Sequence, residues 1–161
     1  MVHIRLRKWR ESDAPVVLRA FQAPDLRRQA SWPVVTLQDA VGWISSWPGA
    51  GHAFAVTAEG RVVGNVAVSG IDDQGNGWVS YWVVPEARGR GIAVAATRLL
   101  ARWAFDERGL LRLELRHRTD NPASCRVATK AGFRPQGVEH GRLGDEGVPY
   151  AVERHARLAT D

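Results

Sequence analysis

Between Val83 and Ala93 the chain reads Val-Val-Pro-Glu-Ala-Arg-Gly-Arg-Gly-Ile-Ala. An apolar, strand-like run from Val79 to Val84 stops at Pro85, two glycines follow, and an amphipathic helical pattern begins. A strand that turns through glycines into a helix start leaves several backbone N–H groups unpaired at the positive end of the helix dipole. Gly89 and Gly91 let that backbone approach a ligand with no Cβ in the way, and Arg88 and Arg90 add charge. The chemistry these residues suit is the holding of a phosphate or pyrophosphate.

Other residues bear chemistry more ambiguously. Asn121 stands where an N-cap belongs, with Pro122 at the first helical position, and capping alone explains it. Ser124 lies in the same first turn, where the dipole favours negative charge; it reads as a solvent-facing serine or as a partner for an anion. Glu114, in Leu113-Glu114-Leu115-Arg116, reads from its neighbours as a strand-face carboxylate paired with Arg112 or Arg116. Cys125 fits a packing residue better than a nucleophile. As the single cysteine it excludes an internal disulfide framework and a cysteine-based zinc site. His52, His117 and His140 lack metal-ligand spacing, so no metal is expected.

These groups need a scaffold. The 161 residues are most simply one domain, 1–161, with a hydrophobic content of 45% and a charged content of 24% that suit a globular core. No apolar run reaches the length of a membrane span, and the first residues lack the apolar core of a signal peptide, which points to the cytoplasm and away from membranes. The net charge is +5, but the arginines are spread from Arg5 to Arg157 rather than clustered with aromatics, so nucleic acid is not the expected partner.

Periodicity predicts a first strand at His3–Trp9, then a helix capped by Ser12 or Asp13, then a second helix at Thr36–Trp47 ended by Pro48 and Gly49. A hairpin is expected from His52–Thr57 and Val62–Ser69 around Glu59-Gly60, followed by a strand at Trp78–Val84. Ile92, Ala96, Leu99, Leu100 and Trp103 recur at helical steps within Arg90–Arg108. Leu111, Leu113 and Leu115 alternate as a strand, a helix opens at Asn121-Pro122 and closes at Gly132, and strands near Phe133–Glu139 and Val148–Arg157 complete the chain. The order β-α-α-β-β-β-α-β-α-β-β mixes a meander with βαβ units. That predicts an α/β (α+β) fold with one mixed sheet and helices on both faces.

With the elements in place, the chain resembles the GCN5-related N-acetyltransferases, and within them the type that acetylates ribosomal-protein N-termini. Three features carry the resemblance: Tyr81-Trp82-Val83-Val84-Pro85-Glu86, Arg88-Gly89-Arg90-Gly91-Ile92-Ala93, and Asn121-Pro122-Ala123-Ser124 with Lys130-Ala131-Gly132-Phe133. The resemblance implies acetyl-CoA as co-substrate, lying between splayed fourth and fifth strands, with Val83 and Val84 offering backbone hydrogen bonds to pantetheine. It implies that the N–H groups of Gly89, Arg90, Gly91, Ile92 and Ala93 hold the pyrophosphate. It places Asn121 near the pantetheine arm and Ser124 at the CoA sulfur. It makes Glu114 a candidate base, and it puts an oxyanion-stabilising N–H near Val84.

The chain also departs from the family pattern. Ala128 stands where many members carry a tyrosine acid, which shifts that role to Ser124 or water, and Trp78 and Ala95 stand where relatives often carry glutamates. The acceptor cleft is expected from the segments Phe21–Val35 and Trp43–His52, with Trp32 and Tyr81 as acceptor contacts and Asp145 and Glu146 available to attract a cationic amine. The reading implied is transfer of acetyl to a small-molecule or peptide amine by direct attack, in a monomer or homodimer. A CoA-binding module of the same fold that has lost catalysis is the alternative.

Overall fold

The computed structural model describes residues 2–30, 32–144 and 147–161. Its strands are β1 (Ile4–Lys8), β2 (Gly51–Ala58), β3 (Arg61–Ser69), β4 (Asn76–Val83), β5 (Arg112–Arg118), β6 (Arg134–Leu143) and β7 (Pro149–Leu158). Its helices are α1 (Ala14–Ala20), the one-turn α2 (Pro24–Arg27), α3 (Leu37–Ala50), α4 (Ile92–Asp106) and α5 (Pro122–Lys130). The strands form one mixed sheet in the order β1-β2-β3-β4-β5-β7-β6. Among the described strands only β4 and β5 pair in parallel, joined through α4. No described helix is long and apolar enough to cross a membrane.

Alternation along the strands sorts the two faces. Trp82 turns toward the α1–α3 side, where Trp9, Phe21 and Trp43 surround it at ring separations of 5.9, 5.5 and 5.9 Å. Phe54 takes the other face and meets Trp103 of α4 at 4.8 Å. Val17, Val66, Leu100 and Leu113 are fully buried between these layers.

Local chemistry accounts for the helix ends. Thr36 Oγ1 accepts from the N–H of Asp39 at 3.1 Å, and the Asp39 carboxylate accepts from the N–H groups of Thr36 and Val35. These backbone donors hold the Asp39 carboxyl below its usual range. Pro48 does not end α3 as expected: the helix continues to Ala50 and feeds straight into β2. A proline in the last turn removes one N–H donor, and the Gly51 N–H closes the end on the Trp47 carbonyl. Asp13 takes the expected N-cap position of α1, at the end of a 3-10 turn that includes Ser12, but its side chain makes no capping hydrogen bond there. Asp13 instead accepts two hydrogen bonds from Arg7 at 2.8 Å and one from the N–H of Arg10 at 2.9 Å.

Candidate functional site

The loop from β4 to α4 has the form that its glycines suggest. Gly89 and Gly91 adopt φ of 78° and 74°, and a Cβ built on either meets no protein atom within 4 Å. The left-handed Gly91 is the N-cap of α4 and has no side chain to offer the helix. The first N–H of α4 to find an intrahelical partner is that of Ala95, on the Gly91 carbonyl at 3.1 Å. The N–H groups of Ile92, Ala93 and Val94 therefore face outward as free donors. They open on a cavity of about 580 Å³ that runs between this loop, the end of β4 and the start of α5.

Two strands part to make that cavity. The β4–β5 ladder ends at Val79↔Leu115, although β4 continues to Val83 and β5 to Arg118. On its other edge β4 stays paired with β3 as far as Val83↔Gly64. The Val84 N–H donates to the Val63 carbonyl at 2.9 Å, which takes it out of the role expected for it. In an antiparallel ladder the inward and outward backbone groups alternate. The N–H groups of Tyr81 and Val83 then point away from β3, into the gap left by β5. These two positions, rather than Val84, hold the available donors.

At the α5 end, the Asn121 side chain accepts from the Ser124 N–H at 3.1 Å, so Asn121 is a helix cap. Ser124 Oγ accepts from the Tyr81 hydroxyl at 3.1 Å, and both residues line the cavity with Asn121. Burial pushes the Tyr81 hydroxyl above its ordinary pKa, with the Ser124 hydrogen bond opposing the rise. The phenol therefore stays protonated and acts as a donor, which leaves the Ser124 hydrogen free to point elsewhere.

Of the residues singled out in the sequence, Tyr81, Val83, Arg88, Gly89, Gly91, Ile92, Ala93, Asn121 and Ser124 converge on this one cavity. Arg88 is partly committed: its Nε donates to the Val83 carbonyl at 3.1 Å and its terminal nitrogen lies 2.8 Å from Asp25. Val84, Arg90, Trp32 and Glu114 do not line it. Glu114 pairs in register with Trp78, which places it on the sheet face opposite Tyr81. There Arg112 donates to its carboxylate at 3.0 Å.

Cys125, one residue beyond Ser124, turns to the other side of α5, with Sγ 3.8 Å from Glu153. That placement puts it on a different cavity from Ser124. Asp145 and Glu146 lie outside the described residues. Sequence reading missed Asp25, which reaches the cavity because α2 forms behind Pro24, and the cations Arg126 and Lys130 along α5. Their spacing of four residues on one helix was the available signal.

Residues 3–134 match the family model described as "Acetyltransferase (GNAT) domain". Over 101 residues the chain is 30% identical to the "Putative ribosomal N-acetyltransferase YdaF" of Bacillus subtilis (strain 168), a match covering 62% of this chain and 55% of that relative. The match thus spans about half the length of this curated relative. Among solved structures, an acetyltransferase (GNAT family) from Bacillus anthracis superposes with a TM-score of 0.87 at 20% identity, with 100% of both chains covered. Mycobacterium smegmatis RimJ in complex with CoA-disulfide gives 0.86 at 23% identity, covering 98% of this chain and 82% of that one. Likeness at these identities establishes the fold.

Proposed function

The chain belongs to the GNAT acetyltransferase domain family, and from that premise we propose that it transfers an acetyl group from acetyl-CoA to a primary amine. The acceptor class is a peptide or protein N-terminus or a small amine. The observation that carries this reading is a single cavity with anion-binding backbone at one end and the Tyr81–Ser124 hydroxyl pair at the other. A ligand with a pyrophosphate and a remote thioester matches both ends at once. The name of the Bacillus subtilis relative, a putative ribosomal N-acetyltransferase, supports a protein amine among the acceptors.

In this reading, the N–H groups of Ile92, Ala93 and Val94 bind the pyrophosphate at the α4 N-terminus. Arg126 and Lys130 add positive charge along the same wall. Pantetheine lies in the gap beside β4, hydrogen-bonded to the outward backbone groups of Val83 and Tyr81. A neutral amine attacks the thioester carbonyl, and one of those N–H groups receives the oxyanion that develops. Collapse breaks the carbon–sulfur bond. Ser124, fixed by the Tyr81 hydroxyl, donates a hydrogen bond to the departing thiolate, which takes its proton from solvent. The proton lost by the amine passes to solvent, since among the described residues no carboxylate hydrogen-bonds Ser124 and Glu114 lies on the other face.

The test is incubation of the protein with acetyl-CoA and a panel of free-amine peptides, their N-blocked counterparts and polyamines, with thiol release as the readout. Release that depends on an unblocked acceptor is the expected result. CoA binding without release for any acceptor would favour the non-catalytic, CoA-sensing alternative.

A further inference from the structure

On the side of α5 away from Ser124, three elements bring four side chains to one point: His117 of β5, Cys125 of α5, and Glu153 and His155 of β7. Their ligand-capable atoms all lie within 4.8 Å of one another. His117 Nε2 is 2.9 Å from His155 Nε2, and Glu153 Oε1 is 2.8 Å from His155 Nε2 and 3.4 Å from His117 Nε2. Cys125 Sγ is 3.8 Å from Glu153 Oε1. A tetrahedral zinc ion with nitrogen, oxygen and sulfur ligands sets its donors about 3.3–3.6 Å apart, so the closest pairs open by about 0.5 Å and the widest close by up to about 1.2 Å to reach it.

Proton counting sharpens the case. His117 Nδ1 lies 2.8 Å from the Arg118 carbonyl, which only accepts, so the ring proton of neutral His117 sits on Nδ1. Its Nε2 lone pair then points into the cluster, fixed by the outer hydrogen bond that metal-binding histidines commonly make. The Glu153 oxygen is a second acceptor, approached by the Cys125 thiol as donor at 3.8 Å and by His155 Nε2 at 2.8 Å. His117 and His155 are both buried, so the two imidazoles meet away from bulk solvent. His117, Cys125 and Glu153 also line a second cavity of about 480 Å³, which gives an ion a path in.

We propose that His117, Cys125, Glu153 and His155 form a binding site for a zinc-class divalent ion. Four protein ligands close the coordination shell, the pattern of a structural site rather than a catalytic one. On binding, Cys125 releases its thiol proton to solvent. His155 moves its ring proton from Nε2 to Nδ1, an atom with no hydrogen-bond partner among the described residues. The thiolate and carboxylate balance the ion's charge, so the rim cations Arg126 and Lys130 face a neutral centre. The ion ties the first turns of α5, and with them Ser124, to β5 and β7. Chain spacing among the histidines gave no sign of this, because the ligands meet only through antiparallel pairing that sets His117 opposite Glu153.

The test uses the untagged full chain, stripped with a chelator and titrated with zinc by calorimetry and with cobalt by absorbance. Expected are one zinc per chain, proton release, a thiolate-to-cobalt charge-transfer band, and a higher melting temperature with zinc. Cys125→Ser and Glu153→Gln should each weaken zinc by at least about 100-fold, the upper end of what loss of an outer-shell partner costs. A wild-type cobalt complex without the thiolate band overturns the proposal whatever the variants do. So does zinc affinity that neither substitution changes.

Discussion

The Tyr81 hydroxyl donates to Ser124 Oγ across 3.1 Å, linking the splayed end of β4 to the first turn of α5. This contact supplies a phenol where Ala128, fully buried, leaves none on α5 itself. Tyr81→Phe should lower kcat up to about tenfold, the worth of one oriented neutral hydrogen bond, with CoA affinity unchanged. Ser124→Ala removes the proposed donor to sulfur and should lower kcat by about 100-fold. Steady-state kinetics paired with calorimetric CoA binding checks both. Equal loss of turnover and CoA affinity in Ser124→Ala would mark the serine as a binding residue alone.

Gly91 tests the placement of the pyrophosphate. Gly91→Glu puts a carboxylate over the free N–H groups of α4 and should abolish CoA binding. The positive φ of 74° strains most substitutions, so Gly91→Asn, which tolerates left-handed backbone, is the matched control. No protein atom lies within 4 Å of a Cβ at this position, so a loss specific to glutamate reports on the ligand. Calorimetry should show measurable CoA affinity for the asparagine variant and none for the glutamate variant.

The Arg7–Asp13 pair links stability to pH. Hydrogen bonds from Arg7 lower the Asp13 pKa below its unfolded value, against the opposing effect of burial. A depressed carboxylate stabilises the fold above its unfolded pKa, and that contribution is lost as pH falls through the folded one. Asp13→Asn should therefore cost about 2 kcal/mol near neutrality, below the range for fully buried pairs because Arg7 stays in partial contact with water. The difference between wild type and variant should vanish at strongly acidic pH. Urea unfolding at several pH values measures both.

Two tryptophans of one cluster should respond differently to truncation. Trp9 Nε1 donates to Asn65 Oδ1 at 2.9 Å, and Asn65 is buried. Trp82 Nε1 is buried with no partner among the described residues. Replacement by phenylalanine shrinks the side chain at either site, but only Trp9→Phe strands a buried acceptor. It should be the more destabilising by about 1–3 kcal/mol. Denaturant midpoints compare them directly.

Much of this architecture was readable in the residues themselves. Gly60, Gly91 and Gly109, all at positive φ, fall at the turns and helix ends where the sequence put them. The alternation of Leu113 and Leu115 with Glu114 and Arg116 gave β5 and its inward face. What escaped was decided by pairing rather than by residue type. Val84 carries an N–H like its neighbours, and only its partner Val63 shows that it is taken. Asp25 looks like any loop carboxylate until α2 brings it to Arg88. Cys125 and Ser124 are adjacent in the chain, yet the turn of α5 sends them to different cavities.

Glu114 follows the same logic. Register with Trp78 sets it across the sheet from Tyr81 and Ser124, with Arg112 on its carboxylate. Glu114→Gln should lower kcat/KM less than tenfold, short of the roughly 100-fold or greater loss expected of a general base. The acidic limb of the pH–rate profile should not move. A shift of that limb on substitution would restore Glu114 to the chemistry.

A structure of the protein with CoA bound tests the central claim most directly. The account predicts the pyrophosphate against the N–H groups of Ile92, Ala93 and Val94, and the CoA sulfur within hydrogen-bond reach of Ser124 Oγ beside Tyr81. A pyrophosphate seated away from the α4 N-terminus, or a sulfur far from Ser124, would contradict it.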